Sequence, residues 1–128
     1  MKQILTILLI LVGLNANAQN SNSPEKTGRM MFNAVANGDV STIKSITTRE
    51  FFTREFPMDE SKIKESLLSV PMQKRETLKN MGNNSTAHTT TIDNDHVIVT
   101  YKNKTNGKEF TMTMKKVYGN WKVDKYGY

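Results

Sequence analysis

"HVIVTYKNKTNGKEFTMTMKKVYGNWKVDKY", residues 96–126, decides the fold. Its apolar residues recur with period two. Val97, Val99 and Tyr101 alternate with His96, Ile98 and Thr100, and Phe110, Met112 and Met114 alternate with Glu109, Thr111 and Thr113. Such alternation marks antiparallel strands with one buried face and one wet face. Asn106-Gly107 predicts a two-residue hairpin turn, and Gly119-Asn120 a turn into the last strand. The apolar phase slips by one between Met114 and Val117, which predicts a β-bulge near Lys115-Lys116. The buried face is expected to carry Val97, Val99, Phe110, Met112, Met114, Trp121 and Val123. The solvent face is expected to carry Thr100, Lys102, Thr111, Thr113, Lys122 and Asp124.

Working back from that stretch, residues 85–92 are threonine-rich, which suits a strand, and Asp93-Asn94-Asp95 supplies its turn. Before Asn84 the period changes to that of helices. Ser23-Pro24-Glu25 reads as an N-cap, a proline at the first helical position and an acid in the first turn. Met31, Phe32 and Val35 follow at helical spacing, and Gly38 can end that helix. Asp39 caps a short helix carrying Val40, Ile43 and Ile46. Thr48 opens a turn carrying Phe51 and Phe52, stopped by Pro57. Asp59 caps a longer segment with an Ile63, Leu67, Val70 stripe. Pro71 then gives either a kink or a new helix leading to Leu78 and Met81. Helices followed by an antiparallel meander make an α+β fold. N-terminal helices are expected on one face of a curved, roughly four-stranded sheet, cone-like in shape.

The first eighteen residues, "MKQILTILLILVGLNANA", read as a secretory signal peptide. Lys2 forms the basic start, Ile4 to Leu14 the apolar run, and Ala16 and Ala18 the small residues before cleavage at Gln19. The run is well short of the roughly 20 residues of a membrane-spanning helix. No cysteine follows it, so a lipoprotein is excluded, and a soluble periplasmic or secreted protein is expected. Residues 19–23 form a polar leader expected to be disordered, and 24–128 a single domain.

The 128-residue chain contains no cysteine. Disulfides, thiol catalysis and cysteine-ligated zinc are thereby excluded together, and packing alone must hold the domain. The chain has 18 basic and 12 acidic side chains; losing Lys2 with the leader takes the net charge from +6 to +5. The excess gathers at the end, where Lys102, Lys104, Lys108, Lys115, Lys116, Lys122 and Lys125 face only Glu109 and Asp124. Nucleic acid is not expected as a partner of an exported protein. A weak contact with lipid head groups or acidic polysaccharide through these lysines is the polyanion reading; a solvated sheet edge kept from aggregating is the plainer one.

No residue set spells a catalytic constellation. His88 and His96, the only histidines, flank the 93–95 turn and could face each other across a hairpin with Asp93 or Asp95. Their spacing matches no metal motif, and no metal or cofactor is expected. Trp121 shares a face with Val123, so core or pocket wall is the expected place for its indole. Met30, Met31, Met72, Met81, Met112 and Met114 are expected mainly as core filler.

The helix end "ANGDVSTIKSI" (36–46), the Phe51-Phe52 pair, the long helical middle and the meander ending "GNWKV" (119–123) resemble the nuclear transport factor 2-like (cystatin-like) superfamily, in particular its small exported bacterial members of unknown function. The resemblance implies a cone of helices on a curved sheet, often with a pocket at the open end and often a homodimer. That superfamily includes enzymes, transport factors and binding domains, so the fold does not select a function. The enzymes of the ketosteroid isomerase and dehydratase kind need an ionisable base and an oxyanion donor inside the cone. Here Tyr101 is the only polar candidate on the inner face, and no acid accompanies it.

The first expectation is therefore a non-enzymatic exported domain binding a small apolar or amphipathic ligand, or a protein partner, at the cone mouth. Phe32, Phe52, Tyr101, Met112, Met114 and Trp121 are its expected lining. The alternatives are a structural or dimerising module with a filled core, and a divergent isomerase- or dehydratase-like enzyme using Tyr101 with a helix acid such as Asp39. A pocket of a few hundred Å³ would favour the ligand reading.

Overall fold

The computed structural model describes residues 23–128. The signal-peptide expectation and all of the leader but Ser23 lie outside the described residues. Among those described, no helix is long and apolar enough to cross a membrane.

Five helices precede four strands: α1 (Pro24–Asn37), α2 (Val40–Ile46), α3 (Arg49–Glu55), α4 (Glu60–Leu68), α5 (Met72–Asn83), then β1 (Ser85–Asp93), β2 (His96–Asn103), β3 (Glu109–Val117) and β4 (Asn120–Tyr126). Each of the first four helices starts on a polar cap that takes an orphan N–H. Ser23 accepts from Lys26 N, Asp39 from Thr42 N, Thr48 from Phe51 N and Asp59 from Lys62 N. Gly38 ends α1 at φ 66°, the left-handed position where a side chain is strained. Pro71 begins a new helix rather than kinking the previous one.

The strands form one antiparallel sheet in the order β1-β2-β3-β4. Register sets Val97 opposite Met114, Val99 opposite Met112 and Tyr101 opposite Phe110. These side chains meet Met31, Phe32 and Ala34 of α1, Ile43 and Ile46 of α2 and Phe51 of α3 in one core, so the fold is α+β with helices on one sheet face. Helical residues at spacing near four and strand residues at spacing two thus write the two halves of the same core.

Two local expectations are corrected. The β2–β3 connection is not a two-residue turn. Buried Asn103 accepts from the N–H groups of both Thr105 and Asn106, and Gly107, at φ 73°, donates to the Asn103 carbonyl, so the loop runs from Lys104 to Gly107. The bulge is on β4, not at Lys115-Lys116. Thr113 pairs with Lys125 and Met114 with Val123, which leaves Asp124 as the extra residue. With β3 unbroken, Lys116 keeps the register of the helix-covered face opposite Trp121.

Candidate functional site

Tyr101 is the most constrained of the expected lining residues. Its ring has no exposure and meets Phe32 edge-on at 5.2 Å. Its hydroxyl donates to the main-chain carbonyl of Glu25 at 2.7 Å. A methyl group at Gly28 would overlap that hydroxyl and ring, so the phenol lies directly on the α1 backbone. Burial holds the Tyr101 phenol above its ordinary range, opposed in part by the Arg29 guanidinium 5.5 Å from the ring centroid. A phenol so placed is a structural donor. Its proton already has a partner, and no approach for a substrate is left beside it.

The expected helix acid is elsewhere. Asp39 is exposed and spends its carboxylate on Thr42, at 3.2 Å to the amide and 2.7 Å to the hydroxyl, which lowers its pKa. The pair Tyr101 and Asp39 is therefore not brought together. The sequence reading is also corrected on a second acid. Glu25, in the first turn of α1, brings its carboxylate to the Thr89 hydroxyl on the helix-covered side of β1. Nothing in the period of β1 marked Thr89 as a partner, because the pairing depends on where α1 crosses the sheet.

Of the six lining candidates, Phe32 and Met112 border an apolar cavity of about 30 Å³, together with Met31, Val35, Leu78, Phe110 and Tyr126. Met114 is fully buried in the core between Val97 and Val123. Phe52 packs on Phe56 at 5.5 Å, and Trp121, half-buried, carries the Lys116 ammonium 5.1 Å from its ring centroid; neither borders the cavity. Met31, Val35, Leu78, Phe110 and Tyr126 are the lining residues that sequence reasoning left out. Phe110 fell on the right face by alternation, whereas period two from Trp121 and Val123 carries Tyr126 to the other face. The Asp124 bulge turns it inward opposite Met112, where with α5 it rims an opening. Phe32, Phe110, Tyr126 and Phe51 run in edge-on contact, at 5.2, 5.3 and 5.1 Å, from the core out through this rim and back into the core. Tyr126 remains 43% exposed in the middle of the run, and burial, with Glu55 adding to it, pushes its phenol up to about 12.

The other expected constellations separate. His88 pairs with Thr100 across the sheet, while His96 bonds Asp93 at 2.9 Å, so the two imidazoles do not face each other. Among the described residues no three His, Asp or Glu side chains gather to hold a metal. Six of the seven lysines divide between two ends of the sheet, and Lys125 lies between them opposite Thr113. Lys104 and Lys108 lie in or beside the β2–β3 loop, with Lys102 next to it, and Lys115, Lys116 and Lys122 lie near the β3–β4 turn. Lys122 reaches sideways to the Ser45 carbonyl at 2.6 Å. On the solvent face Thr113 is buried, its hydroxyl donating to the Gly127 carbonyl at 2.6 Å, and Asp124 accepts from Thr48; both correct the expectation of a wholly wet face. Met30 and Met72 are exposed rather than core filler.

No protein-family model, curated protein or solved structure matches this chain. Function must be read from the molecule alone.

Proposed function

We propose that the protein is an exported, non-enzymatic domain that takes one apolar side chain of a protein partner at the cleft between α1, α5 and the β3–β4 half of the sheet. The observation that carries this reading is the 30 Å³ apolar cavity with its rim of Val35, Leu78, Phe110 and half-exposed Tyr126. Small-molecule pockets run to about 300–1,000 Å³, so a free ligand in this cavity requires the helices to part. An aliphatic group from a partner's surface requires only a small adjustment at the rim. Aromatic rims of this kind are favourable anchors because a ring offers large contact area with few rotatable bonds to freeze.

Helices before a four-strand meander, in that order, also support membership of the nuclear transport factor 2-like superfamily, which belongs to this proposal together with export. The filled interior favours a second reading, a scaffold whose packed core only supports its surfaces. Native mass spectrometry of the protein recovered from its own cell envelope separates the readings. The expected species is the chain with a polypeptide partner, lost on Leu78→Glu. A retained small-molecule adduct would replace this reading with the ligand one, and a bare chain indifferent to Leu78→Glu would leave the scaffold.

A further inference from the structure

The two edges of the sheet are treated differently. The β4 edge is covered: Thr47 bridges Val123, the Thr48 N–H donates to the Val123 carbonyl at 2.9 Å, and Arg54 donates to the Asp124 carbonyl at 3.1 Å. It also carries Lys122, Lys125 and a bulge, the usual devices against edge pairing. The β1 edge has none of these over residues 85–91. "STAHTTT" has no Lys, Arg, Asp, Glu or proline, and its register with β2 is regular to Thr91. Among the described residues no segment pairs with its outer side.

The direction of its free groups follows from the ladder. Asn103 N–H donates to Lys108, on the β3 side, and Lys104 N–H donates to Asn84, on the β1 side. Hydrogen-bonding direction alternates along a strand, so Thr86, His88 and Thr90 bond to β2. Ala87, Thr89 and Thr91 aim their N–H and C=O groups outward. These three residues share the helix-covered face with their partners Tyr101, Val99 and Val97.

We infer that the β1 edge pairs antiparallel with β1 of a second copy of this chain, about a two-fold axis through Thr89. That register sets Thr89 against Thr89 and Ala87 against Thr91, each pair exchanging N–H and C=O bonds. It keeps the helix-covered face of one sheet continuous with that of the other, as the period of two requires. No charged side chain opposes its like along these residues. At the ends, Arg29, which holds Ser85 at 2.9 and 3.0 Å and has no carboxylate within ion-pair reach among the described residues, lies toward the second copy's Asp93. That aspartate follows the irregularity after Thr91 and shares its carboxylate with its own His96. The opposing cost is the approach of two Glu25 carboxylates across the axis, offset by Lys26 and Arg29 on the same helix.

The test is sedimentation equilibrium on the chain purified from cells expressing the full sequence, with amide exchange read at several concentrations. The expected result is a monomer–dimer equilibrium in which the Ala87, Thr89 and Thr91 amides slow as dimer forms. Thr91→Pro removes an outward N–H while sparing the β2 ladder. With an unchanged circular dichroism spectrum it weakens the dimer by about tenfold or more, the scale of losing a hydrogen-bonded pair. A monomer at every concentration overturns the inference, as does a dimer that Thr91→Pro leaves intact. Protection of the three amides independent of concentration also overturns it, and would assign the edge to another part of the chain.

Discussion

Replacing Gly28 by alanine drives a methyl group into the Tyr101 hydroxyl and ring, and neither side can retreat. The phenol is enclosed by Phe32 and the α1 backbone, so the strain falls on the helix–sheet contact itself. Gly28→Ala should destabilise the protein by about 3 kcal/mol despite alanine's better helix propensity, since overpacking outweighs that gain. Tyr101→Phe should cost about 1 kcal/mol for the lost hydrogen bond, and combined with Gly28→Ala should recover part of the larger loss. Urea titration of the two single variants and the double checks both statements; additive losses would mean that the residues do not share this contact. Trp121→Ala belongs to the same scale. Its half-buried ring under Lys116 predicts a loss of about 2 kcal/mol, below the range for a fully buried tryptophan. The sequence placed Trp121 on the right face but could not give its depth, which is set by how far α2 and α3 reach along β4. A lone glycine inside the amphipathic run 24–37 was the available mark of a close approach.

Asp124 shows how an element boundary is fixed from a distance. The Thr48 hydroxyl accepts the Phe51 N–H at the start of α3 and donates onward to Asp124 in the β4 bulge at 2.9 Å. Asp124→Ala should therefore cost about 1 kcal/mol and speed exchange at the Phe51 amide, with Asp124→Asn, which keeps an acceptor, close to neutral. If the alanine variant exchanged at Phe51 as slowly as the parent, the bulge would have no part in holding α3. The caps themselves were legible, because Ser23, Asp39, Thr48 and Asp59 each bond a residue three positions on. The bulge and the Asn103 loop were not. Their geometry depends on the strand opposite, and the same letters fit a two-residue turn equally well. Acid acts on the local set. Hydrogen bonds to the helix starts lower the pKa of Asp39 and Asp59, so their contribution is present above the ordinary 3.8 and lost as pH falls through the lowered values. The Thr42 and Lys62 amides should lose protection there first.

Across the whole molecule, alternation and helical spacing told which faces turn together, and the core residues Val97, Val99, Met112 and Val123 follow from it. How full the space between those faces is depends on summed volumes and crossing angles, which no period records; an opening of several hundred Å³ and one of 30 Å³ have the same sequence pattern. Tyrosine titration reads that packing globally. The phenols of Tyr101 and Tyr126 are held up mainly by burial, Tyr126 to about 12 against an ordinary 10.0. Between the ordinary value and the raised one, the unfolded chain has released protons that the folded chain keeps, so stability falls as pH rises. The contribution is complete below about pH 10 and is lost through pH 12 and beyond. Tyr126 is partly exposed and solvent weakens its share, so Tyr101 should dominate. Urea midpoints measured from pH 8 to 12 should decline above pH 10 in the parent, decline much less in Tyr101→Phe and only slightly less in Tyr126→Phe. An unchanged alkaline slope in Tyr101→Phe would mean that water reaches the phenol, and with it that the space between helices and sheet is open rather than filled.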